Sequence, residues 1–409
     1  MFAKKIPLWG KILIGLVLGI VVGMVLKEKA LYLKPIGAIF INGVKMLIVP
    51  LVFSSLIVGV TSVDDIGKMG RIGLKTIILY AVTTIIAVTI GLGLSWITDP
   101  GVGISLHASG TVTVVDTAPS LIHTLVNIIS DNPIGSLAEG NILQIIVFAI
   151  FIGIAINLTG NKADPVKNFF TGLAEVMYKL TSIIMKFAPY GVFALIACVI
   201  GQYGVEFLLP LLKVVVTVYI ACILHSIIIL GGGLILLGRL NPWKFFKGFL
   251  DAALVAFSTS SSSAALPVSL RCTQANLGVS KSISSFVLPL GATINMNGTA
   301  IYQGVCAVFI AQAYGIDLSL TNYVTIVMTS ILAAIGTAGV PGAGLIMLSL
   351  VLSSVGLPIE GIAIIAGIDR ILDMARSCVN VIGDGVATVL VAKSEQELDI
   401  KAYNSVHAE

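Results

Sequence analysis

The chain has 409 residues, of which 57% are hydrophobic and 11% charged, and its mean hydropathy is +1.06. That composition leaves too little polar surface to solvate a globular exterior, so lipid is the expected surroundings of most of the chain, with no soluble domain left over. The net charge of +4 is small and the basic residues stand at the ends of apolar runs, a pattern that sets topology and excludes nucleic-acid binding.

A helix crossing the hydrocarbon layer needs about 20 apolar residues, and such runs recur along the sequence. Residues 12–26 follow Met1-Phe2-Ala3-Lys4-Lys5 without a small-residue cleavage site, so the first run is expected to be a retained span. Further runs at 39–63, 76–97, 142–158, 180–200 and 207–237 complete six ordinary helices. The stretch from Asp99 to Asn141 contains no Lys or Arg and reads as an external loop. Basic residues recur in alternate connections: Lys4 and Lys5; Lys68, Arg71 and Lys75; Lys162 and Lys167; Arg239, Lys244 and Lys247; Arg271 and Lys281; Lys393 and Lys401. This bias puts both termini on the cytoplasmic side of the inner (plasma) membrane, with Lys27, Lys29 and Lys34 as the exception. The five cysteines, Cys198, Cys222, Cys272, Cys306 and Cys378, lack metal-ligand spacing and read as reduced packing residues.

Beyond Arg239 the apolar stretches are broken in their middles by Ser, Thr, Gly, Pro and Asn. Residues 243–270 hold Ser258-Thr259-Ser260-Ser261-Ser262-Ser263 at their centre and basic residues at both ends. A span cannot begin and end on one side, so this segment is expected to enter, turn and leave as a re-entrant helical hairpin with the serines at its tip. Residues 323–355 are expected to do the same from outside, with Gly336 to Gly344 as the tip. Non-helical backbone survives at membrane depth only where it lines a polar cavity or is buried in protein. Each hairpin is followed by a long span, 283–313 and then 362–391, in opposite orientation. That inverted repeat points to alternating access around a site at the midplane.

In the last span Asp369, Asp373, Arg376, Asn380 and Asp384 recur every three or four residues, which confines them to an arc of roughly 80° on one helix face. Each charged group at the bilayer centre costs at least about 2.5 kcal/mol, so the stripe is expected to face a cavity, a ligand or a partner. The bland alternative is an ion-pair ladder that only staples helices together. In the preceding span Gly291-Ala292-Thr293-Ile294-Asn295-Met296-Asn297-Gly298-Thr299 packs amides, glycines and threonines into nine residues. Unwinding there would free carbonyl oxygens, hard ligands suited to Na⁺; a packing kink at a helix contact is the alternative.

The segments at 260–268, 288–303 (LPLGATINMNGTAIYQ), 336–344 (GTAGVPGAG) and 367–384 (GIDRILDMARSCVNVIGD), in this order, resemble the signatures of the dicarboxylate/amino acid:cation symporter family, the glutamate transporter homologues. The resemblance covers essentially the whole chain. It implies an all-α polytopic membrane protein with eight transmembrane helices plus two re-entrant hairpins, working as a homotrimer by an elevator movement. Residues 1–75 and 142–203 would form the scaffold. Residues 76–98 and 204–409 would form the transport part, with 99–141 as the extracellular loop.

By that resemblance Arg376 pairs with the substrate's side-chain carboxylate, which a guanidinium fork fits in charge and shape. Asp373 receives the α-ammonium. Asn380, Ser377, Thr299 and the tip residues Ser261 and Ser262 hold carboxylates, and Val340 and Gly344 belong to the outer gate. Members for neutral amino acids lack the arginine and dicarboxylate members without an amine lack the aspartate; this chain has both, so glutamate or aspartate is the expected substrate. Arg370 stands beside the stripe, while Ser260 stands where some homologues carry a hairpin arginine. One sodium site would use Asp384 and Asn380 with carbonyls of Gly291 and Asn295. A second would use backbone of Thr293, Met296, Ala334, Ile335 and Thr337. A third would use Tyr80, Thr83, Thr84 and Asn295, with Asn297 where the family has an aspartate. That exchange removes a formal charge and leaves proton coupling or a reduced stoichiometry as an alternative to Na⁺. Gln303 stands where vertebrate members carry a glutamate linked to proton and potassium movement. No cofactor is expected.

Catalysis is not expected: of His107, His123, His225 and His407 only His225 falls in a span, with no nucleophile at useful spacing. A channel is the rival from another class, since a polar stripe can line a pore.

Overall fold

The computed structural model describes residues 8–61, 68–103, 129–140, 142–204, 208–337, 339 and 341–405. Regular structure among them is helical, with one isolated bridge between Val279 and Leu398. The chain opens with α1 (Leu8–Leu26) and passes through a 3₁₀ segment, Lys27–Leu33, into α2 (Lys34–Thr61) and α3 (Lys68–Thr98). Short α4 (Pro133–Glu139) starts on Asn132, whose side chain accepts the Gly135 N–H, and has Pro133 in its first turn. Next come α5 (Ile142–Thr159), α6 (Asp164–Met185) and α7 (Ala188–Tyr203).

Helices α1, α2, α5, α6 and α7 pack on one another. The α1–α7 contact is close because Gly15, Gly19 and Gly23 lie over the backbones of Pro189, Phe193 and Ala197; a Cβ on Gly19 would stand 2.6 Å from the Phe193 carbonyl oxygen. The run at 180–200, expected as one span, is instead divided by a turn at Lys186–Phe187. Pro189 supplies the reason: it lacks an N–H and crowds the preceding residue, so it belongs in the first turn of a new helix rather than within an old one.

The second half begins with α8 (Leu208–Leu224), which runs through a π-helical stretch, His225–Leu230, into α9 (Gly231–Leu236). Then α10 (Pro242–Thr259) and α11 (Ser262–Arg271) form one helical hairpin, and α14 (Leu320–Gly336) and α15 (Ala343–Ser354) form another. Between them lie α12 (Lys281–Ile294) and α13 (Asn297–Ala313); after them come α16 (Ile362–Ala366), α17 (Asp369–Ser394) and α18 (Ile400–Asn404). The last long run, expected to be continuous over 362–391, is broken by a turn at Gly367–Ile368, where Ile368 keeps a distorted right-handed conformation (φ −109°, ψ −3°) and Gly367 is pressed against Ile196.

The core is organised around α13, buried along almost its whole length and surrounded by α3, α8, α14, α15 and α17. A helix with no charged residue on any side suits such an enclosed place. Outward, the molecule shows large apolar side chains such as Val25, Trp96, Ile97 and Leu236, as expected of a surface that faces lipid. Among the described residues four helices are long and apolar enough to cross a membrane: Gly10–Phe40, Arg71–Thr98, Leu208–Leu236 and Asp369–Ser394. The last has 83% of its span buried against 24% of the first, so the polar stripe of α17 is turned into protein and away from lipid.

Candidate functional site

Two helical hairpin tips meet at the centre of this arrangement. In the first, α10 ends where Ser260 takes a left-handed conformation (φ 53°), which costs a non-glycine residue about 1–2 kcal/mol. Ser261 is then extended and caps α11 by accepting the Ala264 N–H at 3.2 Å. In the second, Gly342 is left-handed (φ 82°) just before α15. The tips are joined through the Gly339 carbonyl, which accepts from Ser261 Oγ at 2.6 Å and from the Ser263 N–H at 3.1 Å.

Beside the tips the α12–α13 helix is unwound at Asn295 (φ −107°, ψ 90°) and Met296 (φ −118°, ψ 56°), as the amide-rich segment led us to expect. A side chain of α17 caps the new start, since the Gly298 N–H donates to Asn380 Oδ1 at 2.8 Å. Asn380 Nδ2 also reaches Met296 Sδ at 3.1 Å and Thr299 Oγ1 at 3.4 Å. Gly298 makes this approach feasible, because a Cβ there would collide with the backbone of Arg376.

All five members of the α17 stripe are buried. Arg376, only 1% exposed, stands between two carboxylates, with Nη1 2.9 Å from Asp369 Oδ1 and Nη2 2.7 Å from Asp373 Oδ1. Its guanidinium lies over the Tyr302 ring, 4.0 Å from the centroid. Asp373 and Arg376 therefore touch, and they do so under the second tip: the Gly342 N–H donates to Asp373 Oδ2 at 2.9 Å, and a Cβ on Gly344 would lie 2.9 Å from Arg376 Cζ. From the other side Arg370 Nη2 donates to the Thr259 carbonyl at the end of α10, at 3.2 Å. Two aspartates and two arginines thus form a buried cluster between the tips, in which Arg376 pairs with both carboxylates while Nε and Nη1 of Arg370 are buried without a hydrogen-bond partner. Removing one member of a buried pair would strand the other charge. Ser262 and Ser377 are buried at the first tip and beside Arg376, and Val340 lies outside the described residues.

The residues expected to hold cations are brought together in part. Asn295 Nδ2 donates to Asp384 Oδ1 at 2.8 Å, and a Cβ on Gly291 would strike both Asp384 and the Tyr80 hydroxyl. Asn295 Oδ1 is buried there without a hydrogen-bond partner. Tyr80, whose hydroxyl donates to the Val287 carbonyl at 3.1 Å, sits with this group, whereas Thr84 and Thr83 donate to Asn297 Oδ1 at 2.9 and 3.4 Å. The backbone of Thr293 and Met296 borders the break, and Ala334, Ile335 and Thr337 belong to the end of α14, which packs on α12. Among the described residues no group of three His, Cys, Asp or Glu could hold a metal. A cation here would rest on one carboxylate with amide and carbonyl oxygens, a hard donor set that suits an alkali ion and not zinc or copper.

Sequence reasoning missed Tyr302, placed Gly339 and Gly342 in the second tip without a role, and gave Asp369 no individual role. Tyr302 follows Thr299 by three residues on one face of α13, a spacing that could have marked it. The backbone donors and acceptors of the second tip carry no residue-type signal.

A model of the sodium:dicarboxylate symporter family matches residues 8–394. A proton/sodium-glutamate symport protein of Geobacillus stearothermophilus is 43% identical over 403 residues, 96% of this chain and 95% of that one. A proton/glutamate-aspartate symporter of Escherichia coli (strain K12) is 38% identical over 416 residues, 97% of this chain and 95% of the relative. A C4-dicarboxylate transport protein of Bacillus subtilis (strain 168) is 35% identical over 396 residues, 95% of this chain and 94% of its own length.

Proposed function

The chain belongs to the sodium:dicarboxylate symporter family, and we propose that it carries glutamate or aspartate across the inner membrane together with a cation. It is a symporter and not an enzyme, as its family and its relatives are. The observation that carries the substrate reading is the buried Asp373–Arg376 pair beneath the Gly342–Gly344 tip. An acidic amino acid offers the two complementary charges, a side-chain carboxylate for Arg376 and an ammonium for Asp373. Binding would exchange an internal ion pair for two substrate pairs, without leaving either group uncompensated. Asn380, Thr299, Ser377 and the Ser261–Ser262 tip would hold the remaining carboxylate. Val340 and Gly344 would close over it.

Na⁺ is the favoured coupling ion at Asp384, Asn380, Asn295 and Gly291, where the orphan Asn295 Oδ1 adds an acceptor. Proton coupling is the second reading, and one observation favours it. The oxygen that receives Thr83 and Thr84 belongs to the neutral amide of Asn297, so that cluster lacks the formal charge a further Na⁺ would use. The resemblance carries the reading of an elevator movement in a homotrimer. In that reading α1, α2 and α5 to α7, which pack on one another, would be the scaffold, and α3 with α8, α9, the hairpins, α12, α13 and α17 would move. On this reading both termini are cytoplasmic.

Uptake of labelled glutamate, aspartate, serine and succinate into proteoliposomes with imposed Na⁺ or H⁺ gradients tests the proposal. Saturable uptake of the two acidic amino acids that stops when the gradient collapses is the expected result. Uptake indifferent to both gradients, or without counterflow, would indicate a pore.

A further inference from the structure

A groove of about 730 Å³ opens on the outer side of the α1–α7 contact, away from the transport site. Its shape follows from the glycine stripe. Gly15 lies over Pro189, Gly19 over Phe193 and Gly23 over Ala197, so the two helices run parallel and in register. Neither Gly15 nor Pro189 fills the space beside their contact. Lys11 stands one turn before Gly15 and Lys186 stands at the turn just before α7, three residues before Pro189, so both lysines line the end of the groove where these helices begin. The rest of the wall is apolar: Ile14, Leu18 and Phe193, with the largely exposed Tyr190 ring. The described lining contains no Asp or Glu.

We propose that this groove binds one anionic phospholipid, its phosphate on Lys11 and Lys186 and an acyl chain along Ile14, Leu18 and Phe193. The site goes beyond the carriage of substrate and rests only on the chain's place in a membrane. Charge complementarity selects the occupant. Two ammonium groups at one end attract a phosphodiester, and their methylene stems lie along the apolar wall while the heads reach the interface. A zwitterionic lipid would bring a cationic headgroup against the same lysines. On the cytoplasmic orientation of the N-terminus, the end with the lysines faces the leaflet that carries anionic lipid. The groove's volume lies within the range of roughly 300–1,000 Å³ usual for small-molecule sites.

The test uses the full chain in nanodiscs of equal phosphatidylglycerol and phosphatidylcholine with matched tails, and a photoreactive benzoylphenylalanine in place of Leu18. Mass spectrometry of the adducts should show phosphatidylglycerol in excess. That excess should fall roughly fivefold for each of Lys11→Gln and Lys186→Gln, the scale of one lysine against an anionic surface. It should persist in Lys11→Arg and Lys186→Arg. In the unsubstituted lysine background the excess should also shrink as salt rises, which tests the charge without any change at the lysines. Equal labelling of the two lipids would overturn the site, as would an excess untouched by the glutamine exchanges and by salt. Adducts to a second copy of the chain would also overturn it.

Discussion

Arg376 faces two carboxylates with a single guanidinium, and Asp373 divides its two oxygens between that guanidinium and the Gly342 N–H. Each group already sits beside a partner of opposite charge, which is the position a zwitterionic dicarboxylate needs in order to enter without stranding a charge. Asp373→Asn keeps an accepting oxygen but removes the negative charge that pairs with an ammonium. It should weaken aspartate binding on the order of 10²-fold, the scale of a broken buried charge pair, and weaken succinate much less. Equal losses in competition assays would contradict an ammonium contact. Asn297→Asp should steepen the Na⁺ dependence of binding by adding a formal charge where Thr83 and Thr84 converge; an unaltered dependence would argue against a cation there. The stripe was legible in the sequence because carboxylates and an arginine at helical spacing in an apolar run have no cheap explanation. Tyr302 was not, since one tyrosine in an apolar helix reads as packing until Arg376 is seen above its ring.

At the scale of elements, the site is built from four interruptions of helices: the two tips, the Asn295–Met296 break and the Gly367–Ile368 break. Two glycines separate what holds these pieces together from what shapes the pocket. Gly298→Ala drives a methyl into the Arg376 backbone and should force α13 from α17, costing about 1–3 kcal/mol. Gly344→Ala meets only the end of the Arg376 side chain, which must give way against its two carboxylates. Thermal unfolding in detergent should therefore show the larger fall in Tm for Gly298→Ala, while Gly344→Ala should lower Tm less and lose glutamate affinity. The reverse pattern would contradict this division. The hairpin tips and the Asn295 break were legible because Ser, Gly and Asn concentrate there. The Lys186–Phe187 turn had a signal in Pro189 that the unbroken apolar run masked. The π-helical stretch at His225–Leu230 had no signal in its apolar run, and the break before α17 had none strong enough where Gly367 packs against Ile196.

Over the whole molecule, the start of α3 and the end of α17 are clasped by Glu395, which accepts from Arg71 Nη2 and Lys75 Nζ, each at 2.6 Å. Hydrogen bonds from Arg71 and then Lys75 hold its carboxyl at about 2, below the ordinary 4.5. A depressed carboxylate stabilises the fold fully above its unfolded value, and the contribution is lost as pH falls through the folded one. Glu395→Gln should therefore lower Tm at pH 7 and make much less difference near pH 2. Arg71 is 61% exposed, so salt should reduce the effect; an equal deficit at both pH values would contradict the clasp. A polar stripe turned inward and hairpins that meet over it carry one proposal, that Arg376 reads the side-chain carboxylate of the substrate. The most direct test is the ratio of glutamate to serine affinity in wild type and Arg376→Cys, measured by binding to the purified protein. The ratio should fall by about two orders of magnitude or more through loss of glutamate, whereas an unchanged glutamate affinity would remove Arg376 from the pocket.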